Sequence, residues 1–127
     1  MYPPELVAPM KSELTEVGFE ELLTPDAVDK AITSEGTTFV LINSVCGCAA
    51  ANARPAARMA VTNDKRPDRI TTVFAGVDAE AVNQARKHML PYPPSSPSMA
   101  LFKNGKLVHF IERHHIKGRP AEMIAEN

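Results

Sequence analysis

The chain has no tryptophan and only two cysteines in 127 residues. Two cysteines are too few for a disulfide framework, so an apolar core must hold the fold. In a reducing compartment a close pair points instead to redox catalysis, redox sensing or metal binding. An excess of charge of either sign is also missing. The formal net charge is −1, which argues against nucleic-acid or anionic-membrane binding by bulk electrostatics. No apolar run approaches the ~20 residues that a membrane-spanning helix needs. The opening Met1-Tyr2-Pro3-Pro4-Glu5 has no basic n-region and no apolar h-region after it, so no signal peptide is expected and a cytoplasmic location is the default. Repeats, linkers and low-complexity stretches are missing too. What is present, 44% hydrophobic and 23% charged residues, is an ordinary globular composition, at a length that suits one domain over 1–127 with one core.

Hydrophobic periodicity orders the chain as α-α-β-α-β-α-β-β-α. Leu6, Val7, Met10 and Leu14 recur at helical spacing over Pro4 to Val17, and Gly18 is the stop. Phe19, Leu22 and Leu23 read as a short apolar link. Thr24-Pro25-Asp26 opens a second helix with a cap, a proline at the first position and an acid at the positive end of the dipole. Its inward face is Ala27, Val28, Ala31 and Ile32, and Gly36 ends it. Thr37 to Asn43 is an apolar, β-branched run suited to a central strand covered on both faces.

A helix from Ala49 to Val61 follows, kinked at Pro55. Ile70 to Val77 reads as a second central strand, and Asp78 as the cap of a helix from Ala79 to Met89. Pro91 to Pro97 form a rigid loop. Ser98 to Lys103 and Lys106 to Glu112 pair through the hairpin signal Asn104-Gly105. Pro120 opens a short last helix that stops at Asn127. Strands joined through helices imply a parallel pair, and right-handed crossovers lay the helices on the sheet. The expected architecture is α/β, a mixed four-stranded sheet sandwiched between helices.

Both cysteines lie in Ser44-Val45-Cys46-Gly47-Cys48, where the first strand ends and a helix begins. A thiol attacks only as thiolate, and the unpaired N–H groups at a helix N-terminus favour that anion. Cys46 is nearest that end and the more exposed candidate; Cys48 lies further into the turn. Gly47 removes a side chain that would crowd an approaching substrate and frees the backbone to bring the sulfurs together. A disulfide across one residue closes a very small ring against demanding sulfur geometry, so it should be strained and easily reduced. Such a pair suits removal of a small thiol from a mixed disulfide, or disulfide shuffling, better than reduction of ordinary disulfides. Two other readings compete. The cysteines could be buried and inert, or they could hold a metal or an iron–sulfur cluster. Zinc wants four ligands, and the adjacent His114 and His115 point different ways on a strand.

Arg54 and Arg58, four apart on one helix face, are candidates to steer an acidic thiol, or form a solvated face. Ser44 and Ser96 could hydrogen-bond a thiolate or substrate backbone, or serve as caps and turn residues. Tyr92 lines the site or packs in the proline loop. His88 and His109 show no partner in the sequence.

These stretches resemble the bacilliredoxin family, thioredoxin-like proteins with Cys-Gly-Cys in place of Cys-X-X-Cys. The resemblance rests on Met1-Tyr2-Pro3-Pro4-Glu5-Leu6-Val7, Asn43 to Ala49, Pro94-Ser95-Ser96-Pro97-Ser98 and Ile111-Glu112-Arg113-His114-His115-Ile116, and it covers nearly the whole chain. It implies a thioredoxin fold and a cytoplasmic thiol–disulfide oxidoreductase that removes bacillithiol from S-thiolated client proteins; disulfide isomerase activity is also attributed to the family. By motif, Cys46 is the attacking cysteine and Cys48 its partner, with no resident cofactor or metal and the small thiol as co-substrate. Pro97 matches the cis-proline that faces the cysteines in this fold, which makes Ser96–Pro97 the expected cis bond and Gly47, Ser96 and Pro97 the substrate-supporting residues. The chain departs from the pattern twice. The family continues the last helix beyond the point where this chain ends. And Phe39 to Asn43 carries no carboxylate where thioredoxin keeps a buried acid.

Overall fold

The computed structural model describes residues 4–43, 56, 67–89 and 98–111. In chain order these residues form α1 (Pro4–Thr15), β1 (Glu20–Glu21), α2 (Pro25–Thr33), β2 (Thr37–Asn43), β3 (Arg69–Phe74), α3 (Ala79–His88), β4 (Ser98–Lys103) and β5 (Lys106–Ile111). The strands make one mixed sheet in the order β1-β3-β2-β4-β5. β1, β3 and β2 run parallel, β4 runs antiparallel to β2, and β5 pairs back on β4.

The sheet has five strands, not the expected four. The added one, β1, falls inside the stretch read as an apolar link. Two residues are too short for any alternation to show, and glutamate is depleted in strands. The two glutamates suit an edge, where charge discourages further pairing. Leu22 extends the contact, donating its N–H to the Thr72 carbonyl at 2.9 Å.

β2 is the middle strand, and its side chains alternate between two layers. Val40 and Ile42 join Val73, Ala100 and Phe102 in a buried cluster with Val28, Ala31 and Ile32 of α2 and Ala81, Val82 and Ala85 of α3. Fully burying the Val, Ile and Phe side chains among these stabilises by about 1.5–3 kcal/mol each. On the opposite face Phe39 meets Phe19 edge-on, ring centroids 6.0 Å apart, and the Asn43 side-chain amide donates to the Met10 carbonyl of α1 at 3.3 Å. Val7, Leu14 and Phe19 are buried, whereas Leu6, expected on the inner face of α1, is 47% exposed. The buried threonines are satisfied by backbone carbonyls: Thr38 by Ala31 (3.0 Å), Thr71 by Phe39 (2.8 Å) and Thr72 by Leu41 (2.9 Å).

The expected start of α2 is present: Thr24 Oγ1 accepts from the Ala27 N–H at 3.1 Å, with Pro25 in the first turn. The second long strand, expected to reach Val77, ends at Phe74. Gly76 takes a φ of +85°, and the N–H groups of Val77 and Asp78 turn back onto the Phe74 carbonyl. Asp78 precedes α3 but makes no capping hydrogen bond through its side chain. Asn104 and Gly105 both take positive φ, 51° and 84°, as a tight two-residue hairpin requires.

A backbone clamp fixes the start of β2. Thr37 donates its N–H to Asp68 Oδ2 (3.0 Å), and the Asp68 N–H donates to Thr37 Oγ1 (2.9 Å). Gly36 exchanges two bonds with Asn104, through its N–H to Oδ1 at 2.8 Å and its carbonyl to the N–H at 2.9 Å. Arg69 donates to Thr38 Oγ1 and to the carbonyls of Ser34 and Glu35. Gly36 has a φ of +91°, and a Cβ there would collide with the Asp68 carboxylate. Gly36→Ala should therefore cost at least the roughly 1–2 kcal/mol of a left-handed side chain, read as a lowered midpoint in urea unfolding. An unchanged midpoint would contradict the clamp.

A second tie joins α2 to α3. His88 Nε2 lies 2.7 Å from Asp29 Oδ1, and Gln84 Nε2 donates to the same oxygen at 2.9 Å. His88 first, then Gln84, hold the Asp29 carboxyl below its ordinary value of 3.8. A carboxyl whose pKa falls on folding contributes stability above its unfolded-state value and loses it as the pH drops through the lower folded-state value. Asp29→Asn should thus lower the melting temperature at neutral pH, and the gap to wild type should narrow below pH 3.8. A gap that widened on acidification would reverse the sign.

Candidate active site

The site predicted from sequence follows directly from the end of β2. Cys46, Gly47 and Cys48 lie outside the described residues, as do Ser44, Arg54, Arg58, Tyr92, Ser96, Pro97, His114 and His115. Their flanks are described. Asn43 is the last residue of β2 and Ser98 the first of β4. Ile42 and Ser98 are register partners across the antiparallel pair. The chain therefore leaves β2 toward position 46 at the same end of the sheet at which it enters β4 from position 97. Ala56, ten residues beyond Cys46, is helical and 1% exposed, as the alanine-rich stretch from Ala49 to Val61 leads one to expect.

The end of β2 is held from two directions, by β3 with its continuation and by α1. Asn43 is the register partner of Phe74 in β3. Its carbonyl accepts the Ala75 N–H at 2.9 Å, and its side chain, 1% exposed overall as a residue, reaches Met10 in α1. A buried amide without partners would cost about 1–3 kcal/mol, so this bond ties the strand end to α1.

Next to Met10, Lys11 points its ammonium over the same strand ends. Its Nζ is 3.3 Å from Asp78 Oδ2, 3.4 Å from Glu21 Oε1 and 5.9 Å from the centroid of the Phe74 ring. β2 itself has no carboxylate, but two are brought to this end of the sheet from β1 and from the turn after β3. Sequence reasoning missed this group. It took Asp78 for a helix cap and Glu21 for part of a link, and no local pattern relates residues 67 positions apart. A usable signal existed for Asp78 alone, which directly follows the expected strand Ile70 to Val77.

His88, which showed no partner in the sequence, is paired with Asp29 between α2 and α3 and does not belong to this end of β2. A cavity of about 320 Å³ lined by Glu20, Ala27, Lys30, Ala31, Ser34 and Arg69 lies against α2, next to the start of β3. Among the described residues no group of three or more His, Cys, Asp or Glu is arranged to hold a metal ion, and no helix is long and apolar enough to cross a membrane.

Comparisons with known proteins agree with the frame. The family model described as "Disulphide isomerase" matches residues 2–127. A bacilliredoxin of Cytophaga hutchinsonii is 61% identical over 98% of this chain and 93% of its own length. A bacilliredoxin of Halalkalibacterium halodurans is 56% identical over 97% and 86%. Among solved structures, one described as having a thioredoxin fold superposes with a TM-score of 0.65 at 20% identity, over 84% of this chain and 92% of that one. On its sheet order, its helical layers and these relatives, the chain belongs to the bacilliredoxin family of thiol–disulfide redox proteins on the thioredoxin fold.

Proposed function

We propose that the protein removes bacillithiol, or a similar low-molecular-weight thiol, from S-thiolated cytoplasmic proteins. Cys46 is the nucleophile and Cys48 its partner. The observation that carries the reading is the pairing of Ile42 with Ser98. It leads the segments containing Cys46-Gly47-Cys48 and Ser96-Pro97 away from adjacent strands at one end of the sheet. Relatives named bacilliredoxin support the reading.

In the first step the Cys46 thiolate attacks the small-thiol sulfur of the client mixed disulfide. The Cys46–small-thiol bond forms, the client disulfide breaks, and the client cysteine leaves as thiolate. In the second step the Cys48 thiolate attacks Cys46 and releases the small thiol, or a second small thiol attacks in its place. On the first branch the resulting Cys46–Cys48 disulfide takes two electrons from an external thiol reductant to return to the start; on the second the small thiol leaves as its symmetric disulfide and the Cys46 thiolate is restored directly. Gly47 leaves room for the client, and Ser96 and Pro97 support its chain alongside the motif as an added strand edge. The chemistry needs no resident cofactor or metal, and the partners are the thiolated clients and the small thiol.

The description of the matching family model favours a second reading, isomerisation of protein disulfides. The same attack by Cys46 then falls on a client disulfide, and the client's own thiol resolves it.

Cys46→Ser should reduce the release of bacillithiol from a modified client to the uncatalysed rate, followed by mass spectrometry of the client. Cys48→Ser should still release the client once per molecule and accumulate a Cys46–bacillithiol adduct. Full activity in Cys46→Ser would sink the assignment. Faster repair of a scrambled disulfide protein than of a bacillithiolated client would favour the isomerase.

A further inference from the structure

Between α2 and the β1–β3 side of the sheet a cavity of about 320 Å³ stays open. Its helix wall is Ala27, Lys30 and Ala31 of α2 with Ser34 just after it, and its sheet wall is Glu20 of β1 and Arg69 of β3. Residues 27, 30, 31 and 34 share one face by the three-to-four spacing of a helix. Two of the four are alanine, so this face offers little more than methyl groups to fill the space. The volume lies at the lower end of the roughly 300–1,000 Å³ of small-molecule sites. Arg69 is the first residue of β3 and pairs in register with Thr38. The cavity therefore lies toward the starts of β2 and β3, away from Asn43.

The polar groups around the cavity are unevenly used. The half-buried Arg69 guanidinium is fixed: Nε donates to Thr38 Oγ1 at 2.9 Å, and Nη2 donates to the carbonyls of Ser34 and Glu35 at 3.3 and 2.6 Å. These bonds occupy Nε and Nη2. The two N–H groups of Nη1 have no acceptor among the described residues. Ser34 gives its hydroxyl proton to the Lys30 carbonyl at 2.5 Å, so toward the cavity its oxygen can only accept. The Lys30 ammonium and the Glu20 carboxylate form no ion pair among the described residues. The lining thus carries two cations and one anion, and no described side chain neutralises any of them.

A simple anion in this cavity meets the like charge of Glu20, and a simple cation meets Lys30 and Arg69. A molecule with two carboxylates and one ammonium offers each group its opposite, and such complementarity sets specificity. We propose that the cavity binds an acidic α-amino acid, of the aspartate or glutamate class. One carboxylate takes Arg69 Nη1 and the other Lys30 Nζ; the ammonium takes the Glu20 carboxylate and Ser34 Oγ; the methylenes lie on Ala27 and Ala31. Arg69 is the orienting group, because protein bonds hold it before the ligand arrives and little freedom is lost on binding. Lys30 and Glu20 are exposed, and water screens their share. The site uses neither cysteine and stands apart from the proposed thiol chemistry.

The test is a two-dimensional amide NMR titration of the full chain at low salt with L-glutamate, glutarate and L-lysine. L-Glutamate should give saturable shifts at residues 27–34 and at Arg69, with a Kd on the order of 1 mM. Glutarate, which lacks the ammonium, should bind about threefold more weakly or worse, and L-lysine should not bind. Lys30→Met should weaken L-glutamate by a similar factor. Glu20→Gln should remove its advantage over glutarate, and Ala27→Leu, which fills the cavity, should abolish binding. Arg69 also ties Ser34 and Glu35, so the variants chosen are those whose side chains make no such ties, and their amide spectra show that each is folded. Shifts that do not saturate, L-lysine or glutarate binding as tightly as L-glutamate, or unchanged L-glutamate affinity in Lys30→Met and Ala27→Leu would each overturn the proposal.

Discussion

β2 is hydrogen-bonded along both edges and covered on both faces, and the position of everything else follows from that. Six register pairs hold it to β3 and six to β4. Its hydrophobic residues from Val40 to Ile42 are at most 1% exposed. A strand in this position cannot slip by one residue, because slipping would exchange the α2–α3 face for the α1 face along its whole length. Residue 43, the last of β2, therefore ends at a fixed place.

The same constraint explains the polar residues of the core. Thr38, Thr71 and Thr72 have the branched shape a buried strand favours, but each carries a hydroxyl that burial would leave costly. Each donates to a carbonyl of the main chain: Ala31, Phe39 and Leu41. Thr71 and Thr72 of β3 bond carbonyls of β2, so their side chains add a second set of contacts to a parallel pair whose backbone bonds are slanted. Asn43 follows the same logic at the strand end, with a partner in α1.

The elements that were legible from sequence are those whose cause is local. The apolar run of β2, the Thr24-Pro25 start of α2 and the Asn104-Gly105 turn each rest on a few neighbouring residues, and all three occur where expected. The Cys46-Gly47-Cys48 motif and the stretch ending at Pro97 were likewise readable, and with them the family. What escaped notice depends on chain far away. β1 exists because β3 has a free edge, not because Glu20-Glu21 prefers to be extended. β3 ends at Phe74 because Gly76 turns the backbone, although Val77 continues the apolar pattern. Asp78 has the sequence context of a cap, but its carboxylate faces Lys11, 67 residues earlier.

That last exchange bears on how the two ends of β2 are held. A side-chain cap is worth about 1 kcal/mol, and α3 begins without one; the carboxylate is engaged instead in a part-buried ionic contact with α1. At the start of β2 the ties are the hydrogen bonds of Gly36 and Thr37 to Asn104 and the Asp68 carboxylate, those of the Arg69 guanidinium to Thr38, Ser34 and Glu35, and a glycine φ that a larger residue could hold only under strain. At the other end Asn43 is bonded to Ala75 and Met10, and charges from three further elements meet beside it.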